Sequence, residues 1–152
     1  LAQLGYDDLP EKSIPHTKIM TTLSRIVNES APQSQVVALE QAVRTVPDRG
    51  KRALIYCRLS ILSRDKADLK TAKRMLNNAV KESDIIRPLS RRAYIRCDMA
   101  IKMYSAGYES IAQDILDNAI DAATNIRQSG LRDEVFNELG LVIRIMQGGG
   151  AD

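Results

Sequence analysis

Apolar residues along this chain fall on helical spacing in stretch after stretch, separated by Pro, Gly and Ser. Ile19, Met20, Leu23, Ile26 and Val27 follow Pro15, which suits a first helical turn because its missing N–H would have no partner there. The segment Ser30-Ala31-Pro32 breaks that run. Val36, Val37, Leu39, Ala42, Val43 and Val46 form a second stripe, closed by Pro47-Asp48-Arg49-Gly50. A third helix is predicted over 51–63 on Leu54, Ile55, Leu59 and Leu62. Asp65 reads as the N-cap of a fourth, with Asp68 three residues on as in a capping box. That fourth helix carries Leu69, Ala72, Met75, Leu76, Ala79 and Val80, reaches toward Ile85 and stops by Pro88. The fifth spans about 90–105 with Ser90 as cap, and Gly107 turns the chain. The sixth runs from Tyr108 to about Arg127 and closes at Ser129-Gly130. The seventh is marked by Val135, Leu139, Val142, Ile143 and Met146.

Seven helices with short connections imply three antiparallel hairpins and an unpaired last helix. The predicted fold class is therefore all-α, an α-solenoid or superhelix of helix hairpins. Residues 1–14 are expected to form an N-terminal arm, 15–147 the helical repeat domain, and 148–152, which include Gly148, Gly149 and Gly150, a flexible tail. Composition agrees. The 152 residues fit one domain, and only 4% are aromatic, with no Trp, which disfavours a β-sandwich. The net charge of +3 permits an acidic partner without demanding one. No apolar run is long enough for a membrane span, and the N-terminal stretch lacks the basic-then-apolar form of a signal peptide. A cytoplasmic location and no membrane partner are the expectations.

The pattern also repeats with a shift of 40 residues and no gap. Arg52, Ala53, Ile55, Cys57 and Ile61 fall on Arg92, Ala93, Ile95, Cys97 and Ile101; Ala72, Leu76, Asn78 and Ala79 fall on Ala112, Leu116, Asn118 and Ala119. A fixed period in this range marks a repeat architecture. Within the second helices a small residue is followed four later by a large apolar one and three after that by Ala: Ala72, Leu76, Ala79 and Ala112, Leu116, Ala119. The first hairpin gives Gln35, Leu39 and Ala42, without the opening small residue. Within the first helices, Phe136-x-x-Leu139-Gly140, Tyr56-x-x-Leu59-Ser60 and Arg96-x-x-Met99-Ala100 share one frame.

These residues resemble the tetratricopeptide repeat over about residues 16–147, as a longer-period relative of a family whose usual length is about 34 residues. In such repeats the first helices line a concave groove that takes a peptide or a helix. The resemblance puts Leu54, Cys57, Ile61 and Arg64 in that groove, then Tyr94, Cys97, Ile101 and Tyr104, and finally Glu134, Asn137 and Leu141. It implies a protein–protein interaction scaffold whose partner is an apolar segment or an amphipathic helix. The alternative is that these side chains pack against each other or against the N-terminal arm.

Other constellations have two readings each. Arg52, Arg92 and Arg132 recur at the start of successive first helices, with Arg49, Lys51, Arg87, Arg91 and Arg127 nearby. They form either a basic edge for nucleic acid or an acidic partner, or structural arginines that serve helix ends. Few aromatics accompany them, which disfavours single-stranded nucleic acid. The unpaired last helix offers an apolar face through which a homo-oligomer would form. Cys57 and Cys97 lie at equivalent positions of adjacent repeats, too far apart for a bridge across packed helices, and are expected as free thiols. With only His16 beside them, no metal or cofactor site is expected. No phosphate-binding Gly loop, zinc-helix motif or nucleophile elbow occurs, so no enzyme is expected.

Overall fold

The structure, a computed structural model, describes residues 33–148. All regular elements among them are α-helices: α1 (Gln33–Val43), α2 (Arg49–Asp65), α3 (Leu69–Asp84), α4 (Leu89–Ser105), α5 (Glu109–Thr124) and α6 (Ser129–Gly148). The helix predicted from Pro15 and the arm over 1–14 lie outside the described residues. Six of the seven expected helices are therefore observed. The chain divides into two units, Leu1–Asp84 and Ile85–Asp152.

In the first unit, α2 and α3 form a tight hairpin, with α1 against α2. Asp48 caps α2 by accepting the Lys51 N–H at 3.0 Å. The turn into α3 ends α2 with a pair of bonds, Ala67 N–H to the Arg64 carbonyl at 2.9 Å and Asp68 N–H to the Ser63 carbonyl at 2.8 Å. Such a closure requires a left-handed residue, and Ala67 supplies it at φ 63°. Asp68 then caps α3 through the Thr71 N–H at 3.2 Å. Asp65, expected as that cap, is instead the last residue of α2.

The helices meet through small residues. Ala72 and Ala79 on α3 are fully buried, as is Ser60 on α2. The Ser60 hydroxyl donates to the Ala72 carbonyl at 2.8 Å, an approach that a larger side chain at either position would prevent. Ile55, Leu59 and Met75 fill the space around that contact, each worth about 1.5–3 kcal/mol of burial.

The second unit repeats this plan. Helices α4 and α5 form its hairpin, and α6 packs against both. Gly107 stands where Ala67 stands, at φ 94°, and the same two turn bonds recur from Gly107 to Tyr104 (3.0 Å) and from Tyr108 to Met103 (2.9 Å). Ala100, Ala112 and Ala119 make the close approach, with Ile95, Met99, Met103, Leu116 and Leu139 around them. Two boundaries differ from those expected. Ser90 lies inside α4, whose N-cap is Pro88 without a side-chain cap bond, and Ser129-Gly130 opens α6 instead of closing α5. Helix α5 has already ended at Thr124, because the chain must turn there to send Ile126 inward. Gly148, expected in the tail, is the last residue of α6.

The 40-residue period is kept by the backbone. Helices α2, α4 and α6 start at 49, 89 and 129; α3 and α5 run over 69–84 and 109–124. It extends to the first connector. Val46 N–H bonds to the Val43 carbonyl, and Ile126 N–H to the Ala123 carbonyl, an offset of twice 40. The end of α1 is thus in register with the ends of α3 and α5, so Leu39, not Ala42, takes the place of Ala79 and Ala119. Val46, expected inside the second helix, sits in the connector and still points into the core.

Candidate functional site

The basic ladder is the clearest periodic feature, and its geometry turns inward. Arg92 donates through Nε to the Ile86 carbonyl at 3.0 Å, and Arg132 through Nη1 to the Ile126 carbonyl at 3.1 Å. Arg52 donates through Nη1 to the Val46 carbonyl and grips Glu82 with its other edge, Nε to Oε2 at 3.1 Å and Nη2 to Oε1 at 3.2 Å. Each arginine thus satisfies the carbonyl of a buried connector residue six positions upstream. All three are half-buried. Arg87 and Arg127 lie in the connectors and are exposed. A cavity of about 260 Å³ opens beside Arg127, between the start of α4 and the 125–131 stretch, with Pro88, Leu89, Ile126 and Leu131 among its walls. It contains none of the residues expected to line the groove.

The groove residues separate by burial. In the first unit Cys57 and Ile61 are buried, while Leu54 and Arg64 are half-buried. In the second unit Cys97 is buried, Ile101 and Tyr104 are half-buried, and Tyr94 and Leu141 are 37% and 49% exposed. Glu134 and Asn137 are exposed as well. Within this unit α6 brings carboxylates to the α4 side chains. Partial burial raises the pKa of the Tyr94 hydroxyl, and the negative charges of Glu134 and Glu138 raise it further. Burial pushes the Cys97 thiol up to about 12, with Asp98 and Glu138 adding to the effect. Tyr94, Glu134 and Glu138 are therefore neighbours on one surface, with Leu141 continuing it along α6.

Glu138 and Ile145 were missing from the sequence reading of this face. Glu138 lies one turn after Glu134, and Ile145, 47% exposed, one turn after Leu141, so helical spacing alone would have added both. Like charges one turn apart on a helix repel, and among the described residues neither Glu134 nor Glu138 forms an ion pair. Glu40, also unanticipated, is buried on α1 and holds Arg74 of α3 through Nε–Oε2 and Nη2–Oε1 bonds of 3.0 Å each.

Both cysteines are free thiols. Among the described residues no group of three or more His, Cys, Asp or Glu is placed to hold a metal ion, and no helix is long and apolar enough to cross a membrane. Comparison with protein-family models, with curated proteins and with solved structures gave no match.

Proposed function

We propose that the chain is a tetratricopeptide-like interaction module whose hairpins stack in series as a solenoid. It acts by reversible binding and not by catalysis. The surface formed by α4 and α6 takes an amphipathic helix or peptide that carries basic residues. The observation that supports this reading is the placement of exposed Tyr94 and Leu141 beside Glu134 and Glu138, two carboxylates that form no ion pair among the described residues. An apolar strip receives the partner's apolar side chains, the carboxylates receive its Lys or Arg, and the Tyr94 ring offers a face for a cation. The engagement of Arg52, Arg92 and Arg132 with backbone carbonyls weighs against a nucleic-acid edge.

The test is a titration with a designed Leu/Lys amphipathic helix and its Leu/Glu counterpart, read by calorimetry. The basic peptide is expected to bind and the acidic one not. Tyr94→Ala and the Glu134→Lys/Glu138→Lys pair are each expected to weaken binding about tenfold or more. Equal binding of both peptides, or binding that neither variant alters, overturns the proposal.

A further inference from the structure

The last helix has a second outward flank, distinct from the surface with Leu141 and Ile145. Phe136, Gly140 and Ile143 share one stripe of α6. By the 40-residue equivalence they match Tyr56, Ser60 and Ser63 on α2 and Arg96, Ala100 and Met103 on α4. In those helices this stripe carries the contacts to the second helix of the hairpin: Ser60 bonds to the Ala72 carbonyl, and Arg96 Nη1 to the Asn118 carbonyl at 3.0 Å. All six of those residues are buried. On α6 the same stripe is open. Phe136 is 38% exposed, Ile143 is half-buried, and a Cβ added at Gly140 would meet nothing within 4 Å.

The residues bordering the stripe indicate what covers it. Where α2 and α4 have the fully buried Ala53 and Ala93, α6 has the exposed Asp133. A second helix packed as α3 and α5 are would bury that carboxylate, which is costly without a cation. Arg144 lies eleven residues after Asp133, on the same side of the helix and about 16 Å along its axis. Among the described residues neither forms an ion pair. Phe136 and Ile143 are placed almost symmetrically between them, and Gly140 lies near the middle. Read backwards, the stripe is its own complement: acid opposite base at each end, Phe opposite Ile, and a small residue at the crossing. Self-complementarity of this kind is what a two-fold interface requires.

We propose that α6 pairs antiparallel with α6 of a second copy of this chain. Gly140 lets the two helices approach closely, Phe136 of each packs against Ile143 of the other, and Asp133 of each meets Arg144 of the other. A single helix pair makes a small interface, so the dimer is weak and concentration-dependent.

Sedimentation velocity on the full chain over a concentration series tests this. A reversible monomer–dimer equilibrium is expected. Asp133→Arg or Arg144→Asp alone turns both ion pairs into repulsions and should weaken the dimer about tenfold. The combined Asp133→Arg/Arg144→Asp chain should recover the parent affinity, because only copy-to-copy pairing restores both pairs. Gly140→Leu should give a monomer that retains its helical circular dichroism, since the position is open within the chain. A parent chain that stays monomeric at the highest concentration overturns the proposal. So does a dimer indifferent to Gly140→Leu, or one that the charge exchange fails to rescue.

Discussion

Arg92 donates through Nε to the carbonyl oxygen of Ile86 at 3.0 Å, six residues upstream. Ile86 is buried in the connector after α3, and its carbonyl has left the helical ladder, so a charged donor takes over. An equivalent bond, donated through Nη1, recurs at Arg52 and Arg132. Arg92→Ala should cost about 1–3 kcal/mol, the range for a hydrogen bond from a charged donor whose acceptor is left unsatisfied. Arg52→Ala should cost more, because Glu82 loses its partner too. Urea unfolding at constant m-value measures both. Losses within about 0.5 kcal/mol would mark the arginines as a solvated edge instead.

The hairpin turns make opposite predictions at equivalent positions. Ala67 occupies the left-handed region at φ 63°, where its Cβ is unfavourable, and Gly107 does so at φ 94° without penalty. No atom lies within 4 Å of a Cβ built on Gly107, so only backbone conformation is at issue there. Ala67→Gly should raise stability by about 0.5–1 kcal/mol, and Gly107→Ala should lower it by about 1 kcal/mol or somewhat more. Thermal unfolding of the two variants reads the signs. Changes of the same sign in both would refute the assignment of these turns.

What the sequence disclosed follows from where the physics is local. Ala72, Ala79, Ala112 and Ala119 announce close helix contacts because only small residues serve there, and they carry the period. Caps were less legible. Asp65 and Asp68 both precede the apolar run of α3, and only three-dimensional reach selects Asp68. Gly130 resembles a helix end, yet it opens α6, because an exposed Ser-Gly pair is compatible with either end. Surface exposure was least legible. Ile61 and Ile101 share a repeat position, yet the first is buried and the second half-buried, a difference set by tertiary surroundings and not by register. The ladder at Arg52, Arg92 and Arg132 was visible as a period, but its inward direction depends on where Val46, Ile86 and Ile126 place their carbonyls.

Glu40 on α1 holds Arg74 on α3 across 34 residues of sequence, and the partners differ in exposure. The Glu40 side chain is 8% exposed and the Arg74 side chain 43%. Asn78 also reaches Glu40, at 3.5 Å. Removing the exposed partner leaves a buried carboxylate with one weak donor, so Arg74→Ala should cost about 1–3 kcal/mol. Replacing both by apolar residues of similar length, Glu40→Leu with Arg74→Met, should cost less than the single change. Urea unfolding of Glu40→Leu, Arg74→Met and the combined variant closes a double-mutant cycle that checks this. Additive losses would mean that the pair contributes nothing beyond its parts.

Cys97, like Tyr94, contributes to the alkaline behaviour of the second unit. Burial first, then the charges of Asp98 and Glu138, raise its thiol from an ordinary 9.0 to about 12. The unfolded chain therefore releases a proton near pH 9 that the folded chain retains. Because the native state binds more protons over this interval, the contribution to stability is full below pH 9 and is lost as pH rises toward about 12. Cys97→Ala removes the titrating group, so its stability should fall less steeply than that of the parent between those limits. The same burial shields the sulfur. In the native chain at neutral pH both thiols, Cys57 included, should react with iodoacetamide about a thousandfold or more slowly than in urea, since attack waits for unfolding. Rapid native labelling of Cys97, assigned by mass spectrometry, would show that the α4–α6 surface is open to solvent down to the thiol.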